Sequence, residues 1–117
     1  MAITLYGIPN CDTVRKARGW LAENGIAHDF HDFRKNGVSR SMLETWLTQI
    51  PWETLLNRRG TSWRALPEER RNAVRNADDA IVLMLETPSL IKRPVLQREN
   101  AVYCGYAESQ YRDLFKL

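Results

Sequence analysis

The sequence predicts a single α/β domain over all 117 residues. Three observations carry this expectation: a strand–turn–helix–strand order at the start, an amphipathic helix closed by Pro51, and a hairpin followed by a last helix. Ala2-Ile3-Thr4-Leu5-Tyr6 is a β-prone run with Ile3 and Leu5 on one face, and Gly7-Ile8-Pro9-Asn10 breaks it as a turn. A helix begins near Asp12-Thr13. Val14, Ala17 and Leu21 recur at helical spacing beside Trp20, and Asn24-Gly25 is a stop signal. Residues 26–33 read as a second strand, so this opening is a βαβ unit with parallel pairing.

Asn36-Gly37 marks a turn, and Ser41-Met42-Leu43-Glu44 has the pattern of a capping box. Leu43, Trp46, Leu47 and Ile50 then form one helical face that ends before Pro51. Residues 52–66 read as a short helical turn followed by the Arg58-Arg59-Gly60-Thr61 loop. Pro67 opens a helix to about Arg75, with Glu68 and Glu69 at its positive end. Residues 80–85 are ambiguous. Their β-branching suits a buried strand, while Asp78-Asp79 suits a helix start. Pro94-Val95-Leu96 and Ala101-Val102-Tyr103-Cys104 form a hairpin bent at Glu99-Asn100. Tyr111, Leu114 and Phe115 line one face of a last helix.

Composition narrows the function classes. At 44% hydrophobic and 26% charged, the chain is a globular protein and not a disordered one. No apolar run approaches the roughly 20 residues needed to span a bilayer, and no secretory signal is read. A soluble cytoplasmic protein without a membrane partner is expected. Lysine plus arginine outnumber the acids by 17 to 14, an excess too mild to suggest direct nucleic-acid binding. Thirteen of those cations are arginines, which suits forked recognition of carboxylates or oxyanions as well as surface salt bridging. Trp20, Trp46, Trp52 and Trp63 interleave with them, and packing is a better account of the indoles than base stacking. His28 and His31 fall on opposite strand faces, and no cysteine–histidine spacing fits zinc, so no metal is expected.

The two cysteines, Cys11 and Cys104, form no CxxC pair and must be judged separately. Cys11 stands between a strand-ending turn and the first turn of a helix. Free N–H groups and the positive helix end stabilise a thiolate there and lower its pKa. Arg15, one helical turn on, can hold a thiolate or an incoming anion, and the charge of Asp12 opposes this unless its carboxylate caps the helix. Cys104 sits in the hairpin's second arm and reads as a small apolar packing residue.

Leu5-Tyr6-Gly7-Ile8-Pro9-Asn10-Cys11 with Arg15-Lys16-Ala17 resembles the opening of the arsenate reductase (ArsC)/Spx family. The resemblance continues at Leu55-Leu56-Asn57, Ile91-Lys92-Arg93-Pro94-Val95 and Ala101-Val102-Tyr103-Cys104-Gly105, and Gly60-Thr61-Ser62-Trp63-Arg64 looks most like the YffB-type members. It implies a thioredoxin-like fold, βαβ then ββα on a mixed sheet, with a helical insertion at about 38–90. It implies a helix over residues 80–85 and a cis Pro94 beside the thiol. It also implies Cys11, Arg15 and Arg93 as catalytic residues, with Asn10, Asn57, Arg58 and Pro94 binding substrate. Two oxyanion-binding arginines of glutaredoxin-coupled arsenate reductases are replaced by Asn57 and Gly105, for which Arg58 or Arg98 could substitute. The second cysteine of an Spx-type CxxC switch is replaced by Val14.

The expected function is that of an arsenate-reductase-like thiol oxidoreductase. Its Cys11 thiolate would form a mixed disulfide that a second thiol resolves. No cofactor is expected to be bound. Glutathione is the expected co-substrate, the substrate a disulfide or glutathionylated thiol, and glutaredoxin a possible partner. The first alternative is an Spx-like regulator that binds RNA polymerase, and the second an arsenate reductase proper.

Overall fold

The structure is a computed structural model that describes residues 2–117. The chain divides into two compact units: one runs up to Gly37 and resumes at Arg93–Leu117, and the other is Val38–Lys92. The first holds β1 (Ile3–Gly7), α1 (Asp12–Glu23), β2 (Asp29–Asp32), the short α2 (Phe33–Asn36), β3 (Val95–Arg98), β4 (Ala101–Cys104) and α8 (Glu108–Phe115). The second holds α3 (Arg40–Leu47), α4 (Trp52–Leu55), α5 (Thr61–Arg64), α6 (Glu68–Asn72), α7 (Ala77–Glu86) and a 3-10 turn at Pro88–Leu90. This is a mixed thioredoxin-like topology, βαβ then ββα, interrupted by a helical insertion.

The sheet order is β2-β1-β3-β4. β1 pairs parallel with β2 and antiparallel with β3, which pairs antiparallel with β4. Register stacks the apolar face: Leu5 lies opposite Phe30 on one side and Leu96 on the other, and Leu96 opposite Tyr103. Ala17, Trp20 and Leu21 of α1 and Tyr111 of α8 pack onto Ile3, Leu5 and Leu96 as one core cluster. Each fully buried leucine there contributes about 1.5–3 kcal/mol relative to exposure. Trp20 packs edge-on against Tyr111 at 5.6 Å between ring centroids. The indoles of Trp20 and Trp46 are thus core residues.

Several boundaries differ from expectation. β2 is shorter because the Asp32 side chain accepts from Arg34 N at 2.9 Å and starts a helix at Phe33. The third helix is capped by Ser39, whose hydroxyl accepts from Met42 N, and not by Ser41. Starting one residue after Ser39 brings Arg40 into the helix, one turn before its ion-pair partner Glu44. The helix after Pro67 stops at Asn72 and not near Arg75, whose N–H donates to Asp79. Residues 80–85 are helical. Asn76 caps Asp79 N at 2.9 Å, and Asp78 and Asp79 occupy the first turn, so cap and dipole override β-branching.

Candidate active site

The C-terminal end of β1 runs into α1 through a turn, and a close approach fixes the angle. Gly7 is buried, and a Cβ built on it would lie 2.7 Å from Val14 Cγ2. Only glycine lets the strand end meet the first turn of the helix so closely. The chain then turns through Pro9 and Asn10 and delivers Cys11 as the N-cap of α1, in extended backbone. Cys11 N donates to Ile8 O at 3.4 Å, and Cys11 O accepts from Arg15 N at 2.9 Å. The sulfur therefore stands at the open end of a twelve-residue helix.

The thiol is partly exposed. Burial pushes its pKa up. The N–H groups of Val14 and Thr13, together with the hydrogen bond and charge of Arg93, outweigh that and leave it lowered. A lowered pKa places more thiolate at neutral pH, and the thiolate is the nucleophile. Arg93 reaches the site from across the fold, where the peptide bond to Pro94 is cis and leads into β3. Arg15, in contrast, is ion-paired with Asp12, and both side chains are largely exposed.

Pro94 has no N–H, and its carbonyl accepts from Gly105 N at 2.8 Å. Gly105 has φ +83°, a left-handed conformation that an arginine would adopt only under strain. The glycine at this position is thus a backbone requirement of the chain's own turn. Asn10 is exposed at the tip of the turn before Cys11. Asn57 and Arg58 belong to the Val38–Lys92 unit. There Asn57 N donates to Leu90 O at 2.7 Å, and the Arg58 guanidinium lies 5.6 Å from the Trp52 ring.

Arg98 does not substitute for a missing oxyanion arginine. It pairs with Ile3 at the start of β1, at the strand's opposite end from Cys11, and its guanidinium donates to Leu114 O and lies 5.3 Å from Phe115. Cys104 is a second cysteine outside any disulfide, in register with Val95 and, one strand further, with Tyr6. His28 contacts Ile26 O and His31 contacts Gly37 O. Among the described residues no group of three or more His, Cys, Asp or Glu is gathered for a metal ion. Among the same residues no helix is long and apolar enough to cross a membrane.

Residues 6–114 match the ArsC family. The chain belongs to that family. Two solved structures define its surroundings further. The YffB protein is 43% identical with a TM-score of 0.91, covering 96% of this chain and 97% of its own. An arsenate reductase (ArsC) related protein from Brucella melitensis is 49% identical with a TM-score of 0.79, covering 100% and 97%. The global transcriptional regulator Spx of Streptococcus pyogenes is 27% identical over 112 residues, which is 94% of this chain and 82% of the regulator. The chain is thus an ArsC/Spx-family protein of YffB type, with the oxidoreductase-like fold of that family.

Proposed function

We propose that this ArsC-family protein is a glutathione-linked thiol oxidoreductase with Cys11 as its nucleophile. The observation that supports this best is the Cys11 sulfur at the α1 N-cap with Arg93 bonded to it, a geometry that lowers its pKa despite burial. The Cys11 thiolate attacks the glutathione sulfur of a glutathione mixed disulfide, the S–S bond breaks, and the other sulfur leaves as a thiolate. Glutathione thiolate then attacks the glutathione-derived sulfur of the Cys11 mixed disulfide. Oxidised glutathione forms and Cys11 returns as thiolate. A second cysteine close to Cys11 is absent from the sequence, so an external thiol fits the resolving step, with glutaredoxin as the protein form of that donor. Two cysteines outside any disulfide also fit a reducing compartment such as the cytoplasm.

Arg93 and Arg15 supply cations for the glutathione carboxylates, Asn10 a polar group at the mouth, and Pro94 a ring face. Asn57 and Arg58, residues of the Val38–Lys92 unit, are proposed as substrate-binding on the resemblance alone. Arsenate is a poorer substrate in this reading. Arg15 and Arg93 stand at matching positions, but two further oxyanion arginines of the family are replaced by Asn57 and Gly105, and each lost charge-assisted contact removes about 1.5–3 kcal/mol. The likeness to Spx favours a second reading, a regulator that binds RNA polymerase. Val14, fully buried where that switch has its second cysteine, weighs against it.

Alkylation of Cys11 against pH, in a Cys104→Ser background, tests the proposal. The rate should rise with pH to a plateau, with a midpoint below the free-thiol value of about 8.5. Replacing Arg93 by Gln removes a cation that favours the thiolate, so the midpoint should move up. A midpoint at or above the free value would end the enzymatic reading and turn attention to a protein partner.

A further inference from the structure

Most of the short loops of the Val38–Lys92 unit are ordinary connections, but one side of it is not. A groove of about 570 Å³ opens there, lined by Arg58, Arg59, Lys92, Glu53, Asn57 and Trp63. Its size falls within the range of about 300–1,000 Å³ typical of small-molecule sites. Three cations face one carboxylate across it, so its field favours an anion.

Four of the eleven other arginines are ion-paired among the described residues. Arg15, Arg40, Arg70 and Arg112 each hold a carboxylate. Among the described residues neither Arg58 nor Arg59 is in an ion pair, although Glu53 lines the same groove. Their backbone is nevertheless held in place. Asn57 Oδ1 accepts from Arg59 N at 3.1 Å, and Arg59 O accepts from the Arg64 guanidinium at 2.8 Å. Asn57 N donates to Leu90 O, and Lys92 N to Leu55 O at 2.8 Å, flanking the Leu56–Ile91 bridge. The Arg58 guanidinium rests beside the Trp52 ring. A preset loop that presents two carboxylate-free guanidinium groups beside an indole is prepared for a ligand.

We propose that this groove binds a small organic polyanion. Its oxyanion groups lie on Arg58, Arg59 and Lys92, and its carbon body lies against Trp63. The shared chemistry is two or more negative oxyanion groups on one small molecule, supplied either by carboxylates or by phosphates. The groove includes Asn57 and Arg58, also proposed to bind substrate, but it requires no thiol chemistry, so the Cys11→Ser variant separates its failure from that of the Cys11 proposal.

The test is a titration of the intact protein, followed by the Trp63 indole and the backbone amides of residues 57–60 in nitrogen–proton NMR spectra, at fixed ionic strength. One arm uses citrate, a tricarboxylate, and the other fructose 1,6-bisphosphate; fructose is the neutral control. At least one anion should give saturable shifts centred on those residues, and the arm that saturates at lower concentration identifies the source. An Arg58→Gln/Arg59→Gln double variant should bind roughly tenfold more weakly, and Lys92→Gln should weaken binding by a smaller factor. Cys11→Ser should bind as the unmodified chain does. The proposal is overturned if neither anion saturates by roughly 10 mM, or if the double variant, its spectrum elsewhere unchanged, binds undiminished. Shifts spread equally over the Arg70–Arg75 face would overturn it too.

Discussion

Two strand-to-helix junctions lie at the same end of the sheet, each with a cysteine outside any disulfide, and they are built differently. β1 and β4 both run antiparallel to β3, so the two strands exit on the same side. After β1 the chain reaches Cys11 as the helix cap itself, with the Thr13 and Val14 N–H groups and Arg93 on its sulfur. After β4 the cysteine is the strand's last residue. Gly105 turns the chain back to Pro94, and α8 starts only at Glu108, with Ala107 as its cap. Cys104 stands too early in the chain to occupy a helix cap, the position that gives Cys11 the first N–H groups of α1. The second junction leads instead to Tyr111, buried against Trp20, Tyr106 and Phe115. A cysteine at a strand exit becomes a candidate nucleophile only when the turn length places it at the cap and a distant cation completes the shell.

The comparison is broken most directly by exchanging the thiols. Cys11→Ser should lower glutathione-linked reduction of hydroxyethyl disulfide by roughly 10³-fold or more, since the covalent step is lost. Cys104→Ser should change it by less than about twofold. Equal losses in the two variants would mean that the junctions act together. Next in size is Gly7→Ala. The new methyl would meet Val14 at 2.7 Å, which is overpacking of a buried corner. A loss of about 1–3 kcal/mol in denaturant unfolding is expected, together with slower Cys11 alkylation. A stable variant with unchanged alkylation would show that the cap does not depend on this approach.

Smaller effects separate the two arginines. Arg93 is hydrogen-bonded to the sulfur, whereas Arg15 is ion-paired with Asp12 at the surface. Arg93→Gln should therefore slow Cys11 alkylation at pH 7 by several-fold, and Arg15→Gln by less. The reverse order would put the thiolate-stabilising cation on α1.

Much of the first junction was legible in the sequence because its signals are local. The β-prone run, the Gly-Ile-Pro-Asn turn and the 3.6-residue spacing of Val14, Ala17 and Leu21 fall within one short stretch, and Cys11 is placed by them. Arg93 was reachable only through family resemblance, because nothing in local spacing ties a residue before β3 to the cap of α1. Arg98 shows the limit from the other side. It is a near neighbour of Arg93 in sequence, yet at about 3.3 Å per strand residue it is carried to the far end of β1. In the insertion, Ser39 and Ser41 are both cap-competent residue types, and the choice is visible only in the fold, where the Ser39 hydroxyl accepts from Met42 N. At Arg58 and Arg59 the local pattern shows only a loop, and the resemblance alone marks Asn57 and Arg58 as substrate-binding, since the Leu56–Ile91 bridge beside them joins segments far apart in the chain.

The weakest effect probes the apolar junction. The Tyr111 hydroxyl is buried, and among the described residues no partner for it is found. Burial first, then Tyr106 and Cys104, push its pKa well above the ordinary tyrosine value. A phenol held neutral in the fold contributes stability below its unfolded pKa of about 10, and that contribution is lost as pH rises above it. Tyr111→Phe keeps the ring among Trp20, Tyr106 and Phe115 while removing a buried hydroxyl. It should leave neutral-pH stability unchanged or raised by up to about 1 kcal/mol, and it should flatten the alkaline fall in melting temperature. A clear destabilisation at neutral pH would show that the hydroxyl is bonded in solution, and the second junction would then be polar at its centre as the first is.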